Sequence, residues 1–246
     1  MTRTRLDEVD LRAAWEENAA AFIRWAREPG HDSYWRFHRD AFLRLVPRPG
    51  AMTLDLGCGE GRLSRDLTSQ GHGVVGVDAS PTMLRAARSA SEIPVCLADA
   101  GVLPFRAAVF DLVVAFMSLQ DVDDFEGAVA DAARVLASGG RLCMAIVHPV
   151  SSAGTFEGEE AHSPFVIRGS YLDRSYHRDD VTRDGLEVAL VSAHRSLQSY
   201  GDAIADAGLL IERLAEPPVP DHAFHHESGR RWQRVPLFLH VRAVRP

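Results

Sequence analysis

The 246-residue chain contains no lysine; its 27 basic side chains are all arginine. A Schiff base to lysine is therefore impossible, which excludes pyridoxal-phosphate chemistry, and no P-loop with its phosphate-binding lysine can form. Asparagine occurs once, at Asn18 before two alanines, so there is no N-glycosylation sequon. Cys58, Cys96 and Cys143 are too few and too scattered for a disulfide framework or a CxxC metal pair, which points to a reducing cytosol. No apolar run approaches the ~18 residues of a membrane span, and the opening MTRTRLDEVD lacks the apolar core of a secretory signal. With 27 basic against 34 acidic side chains the net charge is −7, so no overall positive field recruits nucleic acid or an anionic membrane.

What is present reads as one soluble α/β domain, since 46% hydrophobic and 25% charged residues are ordinary for a folded protein. Residues 6–46 carry apolar side chains at three- and four-residue steps and predict two helices, broken at Glu28-Pro29-Gly30. Short apolar strands follow at 52–57, 73–78, 94–99, 111–116 and 141–147, separated by helices at Arg62–Gln70, Thr82–Ala90 and Phe125–Leu136. Unalternating strands of this kind belong in a parallel sheet covered on both faces. Residues 148–195 show no clean periodicity; beyond them come a helix at Leu197–Ala207, a strand at 209–214, a long connection at 217–236 and an alternating strand at 236–244.

The most informative segment is Leu54-Asp55-Leu56-Gly57-Cys58-Gly59-Glu60-Gly61. Three alternate glycines between a strand and a helix let the backbone turn sharply and approach a ligand closely. Asp78 ends the next strand, where a carboxylate can accept both hydroxyls of a ribose. Asp99 ends the third, within reach of an adenine amino group. An acid two residues before GxGxG would repel a pyrophosphate, so the spacing departs from the dinucleotide pattern and suits an adenosyl cofactor carrying an ammonium and a sulfonium.

These residues resemble the class I S-adenosylmethionine-dependent methyltransferases, bacterial small-molecule branch. LDLGCGEGRL, VVGVDAS, LADAGVLPF, FDLVVAFMSLQDVDD and ARVLASGGRLCMAIVHP look like its successive motifs, and HRSLQSYGDAIADAGLLIERLAEP like its late helix and sixth strand. The resemblance implies a Rossmann-like doubly wound sheet of about seven strands, the last antiparallel, with N-terminal helices and an insert after strand five. It divides a single domain into a helical N-terminal lid (1–49), a cofactor-binding core (50–148), an acceptor-side insert (149–195) and a C-terminal helix with strands (196–246). S-adenosyl-L-methionine is the implied cofactor. Gly57, Cys58 and Gly59 would border its methionine part and Asp55 would hold the ammonium through water. Asp78 would bind the ribose, with Ala79 and Met83 beside the adenosine, Ala100 beneath the adenine that Asp99 meets, and Met117 bordering the cofactor. Gln120 stands where the family often carries His, so no general base is expected at that position.

Methyl transfer from a sulfonium is an in-line displacement in which alignment of the nucleophile alone is worth ~7–11 kcal/mol, so no catalytic motif need be visible. His148, at the end of the fifth strand, is either a base or a residue that bonds loop backbone. His31, Asp32, Tyr34 and Trp35 form either a lid or a helix cap with core aromatics. His194, Tyr171, Tyr176 and His177 could line an acceptor pocket. His222, His225 and His226 lack the HxxxH and HExxH spacings of metal sites, and no metal is expected. Arg230, Arg231 and Arg234, interleaved with Trp232, would clamp an acidic acceptor or form a solvated patch. The expected function is methylation of O, N or C of a small-molecule acceptor by a cytoplasmic monomer or homodimer without nucleic-acid or membrane partners. An RNA acceptor, a cofactor-binding protein without transfer, and a nicotinamide dehydrogenase are the alternatives.

Overall fold

A computed structural model describes residues 2–224 and 227–246. β1 (Thr2–Leu6) precedes α1 (Leu11–Arg27), and a π-helical turn at Tyr34–His38 runs into α2 (Arg39–Leu43). The core follows as β2 (Thr53–Leu56), α3 (Arg62–Ser69), β3 (Val74–Asp78), α4 (Pro81–Ala90), β4 (Val95–Leu97), β5 (Phe110–Phe116), α5 (Phe125–Val135) and β6 (Leu136–Val147). The insert holds α6 (Pro149–Ala153), β7 (Gly154–Phe156), β8 (Phe165–Ile167), β9 (Ser175–Arg183) and β10 (Leu186–His194). α7 (Leu197–Asp206), β11 (Leu210–Ala215) and β12 (Phe238–Val244) complete the chain.

Seven strands pair in the order β11-β12-β6-β5-β2-β3-β4, and β12 is antiparallel to both neighbours. This is the Rossmann-like sheet the sequence predicts. One face packs under α5 and α7 around Leu54, Val113, Phe125 and Tyr200; the other buries Phe42, Leu67, Leu112 and Tyr34. Strands β2, β3 and β4 run one way from the middle and β5 and β6 the other. The order therefore reverses at β2, and a crevice opens beyond its carboxyl end, where ligands bind in open α/β sheets.

Two expectations are corrected. The fifth helix stops at Val135, and Leu136 already pairs with Phe110; the register shift after Phe110 absorbs Ser138-Gly139-Gly140 inside a long strand. Residues 2–6, which carry no strand pattern, pair with β9, and β9 pairs with β10, giving a separate three-stranded sheet. β9 shows no apolar alternation because its inward positions are polar: His177 and Asp179 are buried, and Arg3 forks onto the Asp179 carboxylate at 2.8 and 2.7 Å. The connection at 217–236 carries 3₁₀ turns at Asp221–Ala223 and Glu227–Gln233.

A buried histidine pair lies between the π-turn and the sheet. His38 Nε2 and His240 Nε2 are 2.8 Å apart, and the His38 ring stacks on Phe238 at 3.6 Å. Burial pushes His38 well below the ordinary imidazole value, and brings His240 down to about 4. Below pH 6.5 the unfolded chain takes up a proton at position 240 that the folded chain refuses, so acidification from 6.5 toward 4 costs stability. The cost from His240 reaches roughly 2 kcal/mol at pH 5. Asp55 and Asp121, raised to about 7 and about 8 by burial, work in the opposite sense over the same range, so the test is a difference. Relative to His240→Gln, the wild type is expected to lose that amount between pH 7.5 and pH 5 in urea unfolding.

Candidate cofactor cleft

Beyond the carboxyl end of β2 the chain makes a left-handed bend. Gly57, Gly59 and Gly61 have φ of +71°, +55° and +84°. The Gly57 and Cys58 amides both donate to Val77 O, at 2.8 and 2.9 Å, which ties the bend to β3. A Cβ on Gly76 would stand 2.8 Å from Cys58 Sγ, so the Cys58 side chain fits only because its neighbour in β3 is glycine. Asp78, at the end of β3, takes the Gly59 amide on Oδ2 and the Ser80 amide on Oδ1, each at 2.8 Å. One carboxylate thus fixes the glycine bend and the start of α4. Burial raises its pKa, against the pull of those two amides.

A cleft open to solvent at its mouth lies here. It brings together Asp55, Gly57, Cys58, Gly59, Asp78, Ala79, Met83, Asp99, Ala100 and Met117. Asp55 is buried, accepts a 2.5 Å hydrogen bond from Ser64 Oγ, and is raised to about 7 chiefly by desolvation. Asp99 is half-exposed at the rim and accepts from the Gly101 amide at 2.8 Å. Met117 leaves β5 at φ +55°, a conformation bulky residues rarely adopt and one that recurs at functional sites.

Other lining residues carried no sequence signal. Arg12, Trp15 and Phe22 of α1 form one wall, and Asp121, Val122 and Asp123 another. Asp123 accepts from the Leu11 and Arg12 amides at 3.0 and 3.3 Å, and Trp15 Nε1 donates to Val191 O at 3.1 Å. α1 is thereby held across the cleft between the β5 loop and the insert.

The proposed lid and acceptor residues lie elsewhere. Tyr34 is buried and donates to Asp66 Oδ2 at 2.6 Å, under the Arg62 guanidinium; Trp35 Nε1 donates to Ala26 O at 2.9 Å. Both are core aromatics, the second of the two readings the sequence offers at 31–35; within the 1–49 lid it is α1 that reaches the cleft. His194 is buried, with Nε2 donating to Tyr171 O at 2.8 Å and Nδ1 facing Ser152 Oγ at 2.6 Å. His148 Nδ1 accepts the Val150 amide at 3.1 Å, capping α6, and Nε2 stands 2.9 Å from Glu216. None of these four lines the cleft. His148→Ala is accordingly expected to cost about 1 kcal/mol of stability through the lost cap and to leave affinity for S-adenosylhomocysteine unchanged, read by thermal melting and calorimetry.

The arginine loop is also structural. Arg231 donates to Gly158 O, Arg234 to Ala161 O and Ser163 O, and Trp232 packs edge-on against Phe156. His225 and His226 lie outside the described residues. His222 Nε2 stands 3.3 Å from Arg36 O, and the described residues contain no cluster of three or more metal-ligating side chains.

The residues present fit an adenosyl cofactor. A Cβ on Gly59 would meet nothing within 4 Å, so the bend borders open space, and the acids around it suit a ligand bearing diol hydroxyls and positive charge. Comparison with known proteins agrees. A family model described as a methyltransferase domain matches residues 54–144. The demethylmenaquinone methyltransferase of Tropheryma whipplei is 38% identical over 115 residues, 45% of this chain and 47% of that protein; this chain thus spans about half the length of that relative. The malonyl-[acyl-carrier protein] O-methyltransferase of Salmonella typhimurium is 32% identical over 197 residues, 74% of this chain and 78% of that enzyme. A crystal structure of an S-adenosylmethionine-dependent methyltransferase from Mesorhizobium loti superposes with a TM-score of 0.69 at 25% identity, covering 87% of this chain and 98% of the other. By its glycine bend, its sheet order and these relatives, the chain belongs to the S-adenosylmethionine-dependent methyltransferases.

Proposed function

We propose that this protein transfers a methyl group from S-adenosylmethionine to a small-molecule acceptor. The observation that carries the reading is the convergence of Asp55, the Gly57–Gly59 bend, Asp78 and Asp99 on one cleft at the sheet's reversal point. Asp78 would accept the ribose hydroxyls on carboxylate lone pairs left over from the Gly59 and Ser80 amides. Asp55 would face the ammonium, whose positive charge draws a carboxyl of pKa about 7 toward its ionised form. Asp99 and Ala100 would receive the adenine. When bound, the cofactor supplies an activated methyl group; the protein's part is to align the acceptor and keep water out. Trp15 and Phe22 of α1, with Phe116 and Met117, supply apolar walls for that purpose.

The relatives' acceptors, a demethylmenaquinone and a malonyl group on acyl-carrier protein, differ from each other, so they support a small-molecule acceptor class, free or carrier-bound, without naming one. The described helices include none long and apolar enough to cross a membrane. The reading is tested by incubating the protein with methyl-tritiated cofactor and a fractionated metabolite extract. Label is expected in an organic-extractable or small polar product, or in a small acyl group released from a carrier protein by mild base, together with S-adenosylhomocysteine; label confined to RNA or to protein side chains would contradict it.

A further inference from the structure

S-adenosylmethionine carries a carboxylate as well as its ammonium and sulfonium, and the cleft that would take it is lined with acids. Among the described side chains lining that cleft, the charged ones are acidic except Arg12 and Arg62. Arg12 stands at the rim, its side chain 56% exposed and Asp99 4.0 Å away, at the end that suits the adenine. Arg62 lies at the other end, directly after Gly61, as the first residue of α3. A basic side chain in the first turn of a helix has the wrong sign for the helix dipole, so α3 itself gives no reason for it. Nor does the neighbouring acid: buried Glu60 is already taken by Arg27 Nε at 3.0 Å and by Arg65 Nη2 at 2.9 Å on each oxygen. The Arg62 guanidinium is fixed between the rings of Phe22 and Tyr34, its carbon 5.6 and 4.2 Å from their centroids, and Nη1 donates to Asp32 Oδ2 at 2.6 Å. Among the described residues no other group accepts from it, which leaves Nε and Nη2 to a ligand. The side chain is 14% exposed, so a ligand in the cleft can touch it while water screens it little.

We propose that Arg62 is the carboxylate receiver of this cleft, taking the two oxygens of a ligand carboxylate on Nε and Nη2. The inference rests on the methyltransferase reading above. Those two donors form the side fork of a guanidinium, whose spacing matches a carboxylate bidentately. The carboxylate has two sources, the methionine end of the cofactor and an acidic acceptor, and position favours the first. Asp55, the acid suited to the ammonium, bonds Ser64 two residues beyond Arg62. The ammonium and carboxylate of one amino acid would then meet Asp55 and Arg62, charge for charge, on either side of the α3 start. Phe22 and Tyr34 give the ion pair an apolar surround, in which it is worth more than in water.

The test compares, by calorimetry, S-adenosylhomocysteine with S-adenosyl-3-thiopropylamine, its decarboxylated analogue, which keeps the adenosine, the sulfur and the amine. The wild type is expected to prefer the carboxylate-bearing nucleoside by about tenfold to a hundredfold, the worth of hydrogen bonds between charged groups. Arg62→Gln is expected to cut that preference to about threefold or less while binding the decarboxylated analogue within about twofold of wild type. A second arm titrates benzoate and benzyl alcohol into protein saturated with S-adenosylhomocysteine; a benzoate preference that Arg62→Gln abolishes, with the nucleoside preference untouched, assigns the carboxylate to the acceptor. If Arg62→Gln does not fold, Asp32→Asn keeps the cation and removes the competing carboxylate: a severalfold rise in either preference is expected, and no rise would overturn the assignment. Preferences that are absent in the wild type, or that both survive Arg62→Gln, would overturn it and leave the cofactor reading intact. A wild type that binds neither nucleoside would remove the cofactor reading and this inference with it.

Discussion

Asp78→Ala is expected to weaken S-adenosylhomocysteine binding by tenfold to more than a hundredfold. Two losses combine. The ribose hydroxyls lose a charged acceptor, worth about 1–3 kcal/mol. The Gly59 and Ser80 amides lose the carboxylate that now fixes them at 2.8 Å each, so the glycine bend is no longer preorganised and part of the binding energy must go into ordering it. Stability should change less than affinity. The orphaned amides cost free energy, but removal of a buried acid whose pKa burial has raised returns some of it. Calorimetry on the folded variant checks this; an affinity within twofold of wild type would mean that the ribose is not held at Asp78.

Gly57→Ala strikes the fold as well as the site. At φ +71° an L side chain costs roughly 1–2 kcal/mol in backbone strain. The new methyl would also stand 2.4 Å from Ser118 Cβ and 2.9 Å from Ser118 Oγ, and that serine is tied to Leu56 O. Overpacking of this kind typically adds ~1–3 kcal/mol. The sum, about 2–5 kcal/mol, is a large share of an ordinary domain's stability. A fall in denaturation midpoint to match is expected, with the turn after β5 displaced and cofactor affinity reduced. A variant as stable as wild type would show that the bend tolerates a side chain, contrary to its packing on the Ser118 loop.

The parts of this protein that were legible in the sequence are those where one physical requirement dictates residue type. A buried parallel strand has to be continuously apolar, so β2, β3, β5 and β6 stand out. A left-handed bend under a close neighbour has to be glycine, so Gly57 stands out. The insert is hard to read because β9 turns polar residues inward, Asp179 toward Arg3, while β10 ends in His194, held by Ser152 and Tyr171; the apolar residues of β10, Val188, Val191 and Ala193, cover the sheet from its other strand. Pairing of that sort is long-range, joining residue 3 to residue 179, and no local window contains it. Tyr34 and Trp35 misled for a related reason: aromatics after a helix break suit a lid and a core equally, and only Asp66, Arg62 and Ala26 decide between them. The helical lid expected over 1–49 includes α1, but the particular wall residues Arg12, Trp15 and Phe22, and the cleft acid Asp121, have no local signature. The available signal for Asp121 is an acid directly after Gln120, the position where the family often carries histidine.

The central claim is that the bend after β2 and the acids ending β3 and following β4 form one nucleoside site. A crystal structure of the protein with S-adenosylhomocysteine tests it most directly. The account predicts the ribose hydroxyls on the Asp78 carboxylate, the thioether sulfur beside Gly57–Gly59, and the adenine between Met83 and Ala100 with its amino group toward Asp99. A nucleoside bound in the reverse sense, or anywhere outside this cleft, would contradict it.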